Sequence, residues 1–144
     1  LKGHIDAKHI ALMSDNHIVM VMSYKLYSSR LKIERLSCEL NAIVVGGFSK
    51  LLKFLEAQLA EKISSIEYWV DLRYGTGTFL GNLGFSCKHE TLGFEWTDTY
   101  KVYNRLACIA NNNGNGKTEA ASANDLGWVK IYDAGQRFYK KDLK

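Results

Sequence analysis

Lys32-Ile33-Glu34-Arg35-Leu36-Ser37-Cys38, then Val44-Val45-Gly46-Gly47, then the run 49–62, then Ile66-Glu67-Tyr68-Trp69-Val70-Asp71: this order decides the fold. The pieces read as strand, glycine turn, helix and strand. In the helical run Leu51, Leu55, Leu59 and Ile63 recur every fourth residue, and Leu52 and Phe54 widen the stripe. Lys50, Lys53, Glu56 and Glu61 fall on the more polar side, and Ser49 is a candidate cap. A strand–helix–strand unit of this length predicts parallel neighbouring strands and a right-handed crossover. A strand that breaks at glycine into a helix leaves bare backbone N–H groups at the helix start, a ready seat for phosphate or pyrophosphate. The same glycines equally serve tight strand-to-helix packing. Neither the Walker pattern nor the dinucleotide fingerprint is present.

Working outward, apolar runs at 9–14 and 18–25 flank Asp15-Asn16-His17 and predict an N-terminal hairpin. Both parities of the second run are apolar, which predicts a strand buried on both faces. After Asp71, residues 73–77 read as a turn, and 78–83 hold at most two helical turns before Leu83-Gly84-Phe85. Runs at 85–91 and 94–97 predict a hairpin around Leu92-Gly93. Runs at 128–132 and 136–139 predict a terminal hairpin around Asp133-Ala134-Gly135. The Asn/Gly stretch 111–118 reads as a flexible loop.

A length of 144 residues fits one domain, 1–144, with a real core. Hydrophobic residues at 47% and charged residues at 24% are ordinary for a globular chain. Proline is absent where about seven are usual, which argues against a Pro-rich linker. No apolar run approaches the roughly 18 residues of a membrane span, so no membrane partner is expected. The chain starts at Leu1, which leaves room for an upstream domain in a longer protein. Cys38, Cys87 and Cys108 form no CxxC pair and no zinc pattern, as in reduced thiols of a cytosolic protein. The histidines show no metal-ligand spacing, and no metal site is expected. The net charge of +4 permits a polyanion partner, and Arg137, Lys140, Lys141 and Lys144 crowd the end. Such tails equally serve solubility.

Chemistry-bearing residues gather at few places. Asp71 ends a strand and is followed by Arg73, and Glu34 and Arg35 lie on the neighbouring strand. Ligands bind at the carboxyl ends of parallel strands, where such a cluster can position an amine and hold an anion. A structural ion-pair network reads the same way. Tyr100, Tyr103 and Arg105 interleave aromatic with basic side chains, as surfaces that stack bases do, and as ordinary amphipathic strands also do. Lys88-His89-Glu90 shares part of a nuclease carboxylate–lysine pattern but lacks an upstream carboxylate partner.

Ile33-Glu34-Arg35-Leu36, Val45-Gly46-Gly47-Phe48-Ser49-Lys50-Leu51, Val70-Asp71 through Leu83-Gly84-Phe85, and the ending Gly127-Trp128 through Ile131-Tyr132-Asp133-Ala134-Gly135 follow one another in an order that resembles a known family. It is the GNAT-like domain at the C-terminus of bacteriophage homing endonucleases. The order is also distantly similar to that of the phage Mom DNA-modification proteins, through Arg35, Asp71 and Gly75-Thr76-Gly77-Thr78.

The resemblance implies an α/β fold, more narrowly α+β: a GNAT-like mixed sheet with an N-terminal hairpin, a central strand–helix–strand unit and a C-terminal hairpin. A splayed parallel strand pair holds acyl-CoA, acetyl-CoA or a relative, with its pyrophosphate on Gly46, Gly47, Phe48 and Ser49. Asp71 is the implied base, Arg35 the orienting cation, and Tyr74 the nearest substitute for the family's tyrosine, where this chain has Leu80. The acyl-CoA turn usually reads Arg/Gln-x-x-Gly-x-Gly/Ala. Here Ile43 and Phe48 stand at its first and last positions, so Phe48 is expected to crowd the N–H groups of the turn. The implied partner is DNA, contacted by Arg73, Tyr103, Arg105, Arg137 and Lys140, in the cytoplasm of an infected bacterial host. Two activities follow: Mom-like acyl transfer to a nucleobase amine, or support of a homing endonuclease in engaging its target. The alternatives are a DNA- or protein-binding module without acyl-CoA, and a small-molecule or protein N-acetyltransferase.

Overall fold

Alternation of apolar side chains sets the first strands. β1 (Lys8–Ser14) and β2 (His17–Tyr27) form an antiparallel hairpin, and β2 pairs antiparallel with β3 (Arg30–Cys38). On β2, Met20, Met22 and Tyr24 are buried, while Val19, Val21 and Ser23 between them are half-exposed. The strand is thus buried on one face and not on two. Its apolar content on both parities did not distinguish a core face from a partly covered one.

The computed structural model of the chain describes residues 6–103, 105 and 116–143. These fall into two units, one within Leu1–Val70, Gly77–His89 and Arg137–Lys144, the other within Asp71–Thr76 and Glu90–Gln136. Of the loop expected at 111–118, residues 111–115 lie outside the described residues, as does Cys108.

In the first unit the chain leaves β3, turns through Gly46 and enters α1 (Gly47–Leu59), which feeds β4 (Ser65–Asp71). Phe48, Leu51, Leu52 and Leu55 are buried and make the helix's inner face. Phe54, expected in the stripe, is 53% exposed. Met22, Leu31, Ile33, Leu52, Leu55, Ile63, Ile66 and Leu80 are the largest fully buried side chains. Each contributes roughly 1.5–3 kcal/mol on burial. The six-stranded sheet runs β1-β2-β3-β4-β9-β5, with β5 at Ser86–Thr91 and β9 at Gln136–Asp142. A short 3-10 turn, Thr78–Leu83, lies between β4 and β5 in the chain.

Two details of register shape the middle of this sheet. Opposite β2, Ser23 pairs with Arg35 and Tyr24 with Ile33, so Glu34 is an extra residue, a β-bulge. The bulge explains why Ile33 and Leu36 both serve the core although they are three residues apart. On its other side β3 pairs with β4 in parallel from Arg30 opposite Ser65 to Ile33 opposite Tyr68. Both strands continue, to Cys38 and to Asp71, beyond that last rung. The parallel pair is therefore a fork that opens after Ile33 and Tyr68.

The second unit is smaller. β6 (Phe94–Thr97) is flanked by β7 (Val102–Tyr103) and β8 (Val129–Tyr132) in an antiparallel sheet of order β7-β6-β8. Its core is Trp96 and Ala123, with Phe94, Tyr103 and Trp128 packed around them. Ala123 lies on α2 (Glu119–Asp125), which starts with a true cap: Thr118 Oγ1 accepts from Ala121 N–H at 3.2 Å.

Neither of the two later hairpins forms as expected. β5 and β6 do not pair with each other, and neither do β8 and β9. Instead β6 pairs with β8 in the three-stranded sheet, and β5 neighbours β9 in the six-stranded one. The two glycine-bearing breaks adjoin each other. Asp133 N–H donates to Gly93 O at 3.0 Å, and Gly135 N–H to Asp133 Oδ1 at 2.7 Å. A Cβ on Gly135, whose φ is +80°, would stand 2.3 Å from Thr91 O. The glycines carry two segments past one another and do not fold each back on itself.

Candidate functional site

The turn before α1 is built by two glycines with different tasks. Gly46 caps the helix with φ at +70°, a conformation that favours glycine, and no side chain caps the helix start. Gly47 is fixed by packing: a Cβ there would lie 2.7 Å from Val44 Cγ1 and 2.9 Å from Met20 Cε. Gly47 N–H donates to Val44 O at 3.2 Å, and Lys50 N–H to Gly46 O at 3.0 Å. Between them Phe48 and Ser49 sit in the first turn, where helix geometry supplies no backbone acceptor for the N–H groups. Ser49 is thus inside the helix and is not its cap.

Phe48 does not crowd this turn. Its ring is buried, stacked on Tyr68 at 5.8 Å and edge-on to Phe79 at 5.4 Å. The sequence carried the signal: Phe48, Leu51, Leu52 and Leu55 share one helical face, and Phe48 extends that stripe by a turn. Nearby, Tyr68 closes the last rung of the fork opposite Ile33, and burial pushes its phenol above the ordinary tyrosine range. The bulged Glu34 keeps only 6% of its side chain exposed, with Lys32 Nζ 3.2 Å away, whereas Arg35 is exposed. A strand fork beside an open helix start fits a long ligand with an anionic segment: the fork takes the extended part and the turn the charge.

Two solved acetyltransferases share this architecture across 94% of the chain. One is the N-acetylglutamate synthase of Neisseria gonorrhoeae, a complex with coenzyme A and N-acetyl-glutamate, at 13% identity and a TM-score of 0.50. The other is an aminoglycoside 6'-acetyltransferase type Ii, at 12% identity and a TM-score of 0.53. The fold is that of the GNAT acetyltransferases. The chain spans about a quarter of the synthase (26%) and 68% of the aminoglycoside enzyme. No family model and no curated protein sequence matches it.

On this GNAT frame the remaining sequence candidates divide between the units. Leu80, standing where a tyrosine is usual in the resemblance, is fully buried in the first unit's core. Arg35 also belongs to the first unit. Asp71, Arg73 and Tyr74 belong to the second and are brought together there. Arg73 Nε donates to Asp71 Oδ1 and Oδ2 at 3.0 and 3.1 Å, its terminal nitrogen to Oδ2 at 2.6 Å, and its backbone N–H to Oδ1 at 3.0 Å. The guanidinium holds the Asp71 carboxyl below the usual carboxylate range. The Arg73 guanidinium also lies 5.8 Å from the ring centre of Tyr74, which is 87% exposed.

Most of the proposed nucleic-acid contacts have carboxylate partners within the chain. Arg105 donates to Glu119 through Nε and a terminal nitrogen, at 3.0 and 2.8 Å, and lies 4.3 Å over the ring of Phe94. Tyr103 stacks on Trp128 at 4.0 Å and donates its hydroxyl to Asp98 Oδ2 at 2.8 Å. Lys140 Nζ lies 3.0 Å from Asp142 Oδ1, and Arg137 is half-buried on the same strand. Sequence reading missed Glu119, which also accepts from Trp96 Nε1 at 2.9 Å and is held below the usual glutamate range chiefly by Arg105. It likewise missed Asp98, held low chiefly by the Tyr103 hydroxyl. The short acidic–aromatic spacing from Asp98 to Tyr103 is the signal by which the second could have been found. Among the described residues no helix is long and apolar enough to cross a membrane.

Proposed function

We propose that the protein is an N-acyltransferase that uses acyl-CoA. The observation that carries this reading is the fork of β3 and β4 beside a helix start whose N–H groups no side chain caps. Acyl-CoA, when bound, supplies an acyl group activated as a thioester. The chain's part is to hold and to select. The open N–H groups of the turn, at Phe48 and Ser49, would meet the pyrophosphate, the Gly47 N–H being held by Val44 O, and the glycine at 46 keeps a side chain away from it. The fork aligns the extended arm of the cofactor, and alignment of the two reactants is a large part of what such a transfer needs. Arg35, exposed on the forked strand, orients donor or acceptor. Asp71, kept ionised by Arg73, is a weaker base than an ordinary carboxylate and a steadier anion. Its part is to attract and orient the acceptor amine, and to accept its proton when Arg73 is drawn away.

The narrower reading is that the acceptor amine belongs to a DNA base. It is supported by the resemblance to phage GNAT-like and Mom-like sequences and by the charge of +4. The carboxylate partners of Arg73, Arg105 and Lys140 bear on its strength: phosphates would have to displace them, so binding to duplex DNA is expected to be modest and steeply salt-dependent.

Acetyl-CoA should raise the melting temperature by mass action, and no shift at millimolar acetyl-CoA would sink the acyltransferase reading. DNA from cells expressing the protein should contain a nucleoside heavier by one acyl group, absent from an Asp71→Ala control. Unaltered nucleosides beside a retained acetyl-CoA shift would remove DNA as the acceptor and leave the transfer chemistry standing.

A further inference from the structure

The run Lys88-His89-Glu90, which the transfer chemistry leaves unused, lies in the middle of β5. β5 is the last strand of the six-stranded sheet, and every one of its residues is exposed. Ser86 Oγ donates to Lys140 O at 3.3 Å, Thr91 Oγ1 donates to Gln136 O, and the His89 ring lies 5.0 Å from that of Phe138. β5 therefore runs antiparallel to β9. Among the described residues no strand pairs with its other side. A strand edge left open is a template for another strand. At the opposite edge of the sheet, β1 carries a register shift between Leu12 and Met13, a device that discourages such pairing.

We propose that β5 pairs with β5 of a second copy of this chain, antiparallel about a two-fold axis at His89. Backbone geometry and charge together select that register. Successive residues of a strand point their N–H and C=O groups to opposite sides, so in an antiparallel pair outward-pointing residues face outward-pointing ones. A strand paired with its own copy must then place the axis on a residue and not between two. Within Ser86–Thr91 only two such axes leave long ladders: Lys88, which pairs 86–90, and His89, which pairs 87–91. An axis on Lys88 sets Lys88 against its own copy, and like charges directly opposite are destabilising. An axis on His89 sets Lys88 opposite the partner's Glu90 and Glu90 opposite the partner's Lys88. Both pairs fall on one face of the joined sheet. On the other face the two His89 rings meet, each with Trp69 at 5.3 Å and Phe138 at 5.0 Å beside it. The pairing is independent of the acyl-CoA reading.

The test is sedimentation equilibrium of the whole chain from about 10 µM to about 1 mM, a range that suits an interface no larger than one strand pair. Wild type should form a dimer. Lys88→Glu and Glu90→Lys each turn both attractive pairs into repulsive ones, and each should weaken the dimer about tenfold. Mixed in equal amounts, the two variants should associate about as tightly as wild type, because each then offers the other two charges of opposite sign. Far-ultraviolet dichroism should be the same for all three proteins, since both positions are exposed. Wild type that stays monomeric across the range overturns the proposal and leaves the edge to a strand of another protein. A dimer that neither substitution weakens is held by another surface. Variants that weaken it singly and stay apart in the mixture rule out the register. Either result overturns the proposal.

Discussion

In the first unit eight large aliphatic side chains are all but lost to solvent, whereas the second unit's core is one tryptophan and one alanine with three rings around them. Around that small core the second unit carries a set of polar contacts. Glu119 ties Trp96 to Arg105, Asp98 ties Tyr103 to the turn at Tyr100 and Lys101, and Arg73 grips Asp71. The carboxyls held below their ordinary range, Asp71, Asp98 and Glu119, all belong to this unit. Burial is indifferent to pH, but a network of ionised acids is not. The first unit's stability is therefore expected to change less with acid than the second's.

The strongest challenge to this contrast is Trp96→Ala. It removes the larger half of the second core and leaves Glu119 short of a donor, so it should cost about 3–5 kcal/mol in urea unfolding. A cost under 1 kcal/mol would mean that the small core is not what holds the second sheet. Next comes Gly47→Ala, which drives a methyl into Val44 and Met20 in the first unit and should cost about 1–3 kcal/mol. A neutral result would show that the turn yields, and that the glycine is kept for a ligand and not for packing.

Acid sharpens the comparison further. A carboxyl whose folded pKa lies below its unfolded value adds stability above the unfolded value, and loses it as pH falls through the folded one. The contribution of Asp71, Asp98 and Glu119 should therefore be complete at neutral pH and fade from the ordinary carboxylate range, near 4, downward. The near-ultraviolet dichroism of the Tyr103–Trp128 stack should fade over that window before the helical signal of α1 does. Simultaneous loss would put the two units in one cooperative transition. The smallest expected effect is that of Glu119→Gln, below about 1 kcal/mol because the Arg105 side of the pair is half-exposed. Its value lies in the slope: stability should depend less on pH in the variant than in wild type.

The part of the molecule that was legible beforehand is the part whose instructions are local. The leucine stripe of α1, the glycine break before it, and the strand on either side follow from spacings a few residues long. The bulge at Glu34 was not read from the sequence, although the change of parity from Ile33 to Leu36 is its trace there. The pairing of 86–97 and 128–142 was not legible, because a turn signal says that the chain bends and does not say which strand it bends toward. Leu92-Gly93 and Asp133-Ala134-Gly135 look like hairpin turns and are crossings. In the candidate site the Gly-Gly turn was found by sequence, but the reasons for its two glycines came from a backbone angle and from contacts with Met20 and Val44. The pairing of Arg73 with Asp71 was one of the two readings of that cluster, whereas Arg105 read as a free cation because its partner, Glu119 fourteen residues away, is recognisable only once the backbone has turned.

Thr91 Oγ1 donates to the carbonyl of Gln136 at 3.5 Å, so the chain that leaves the large sheet at β5 returns beside its point of departure. Everything between is a detachable loop in the topological sense. A two-residue turn could close the gap and leave the host strands in register. A fold wired this way can exchange the whole 44-residue excursion, losing or gaining a recognition surface in one genetic event, while the fork and the helix beside it stay as they are.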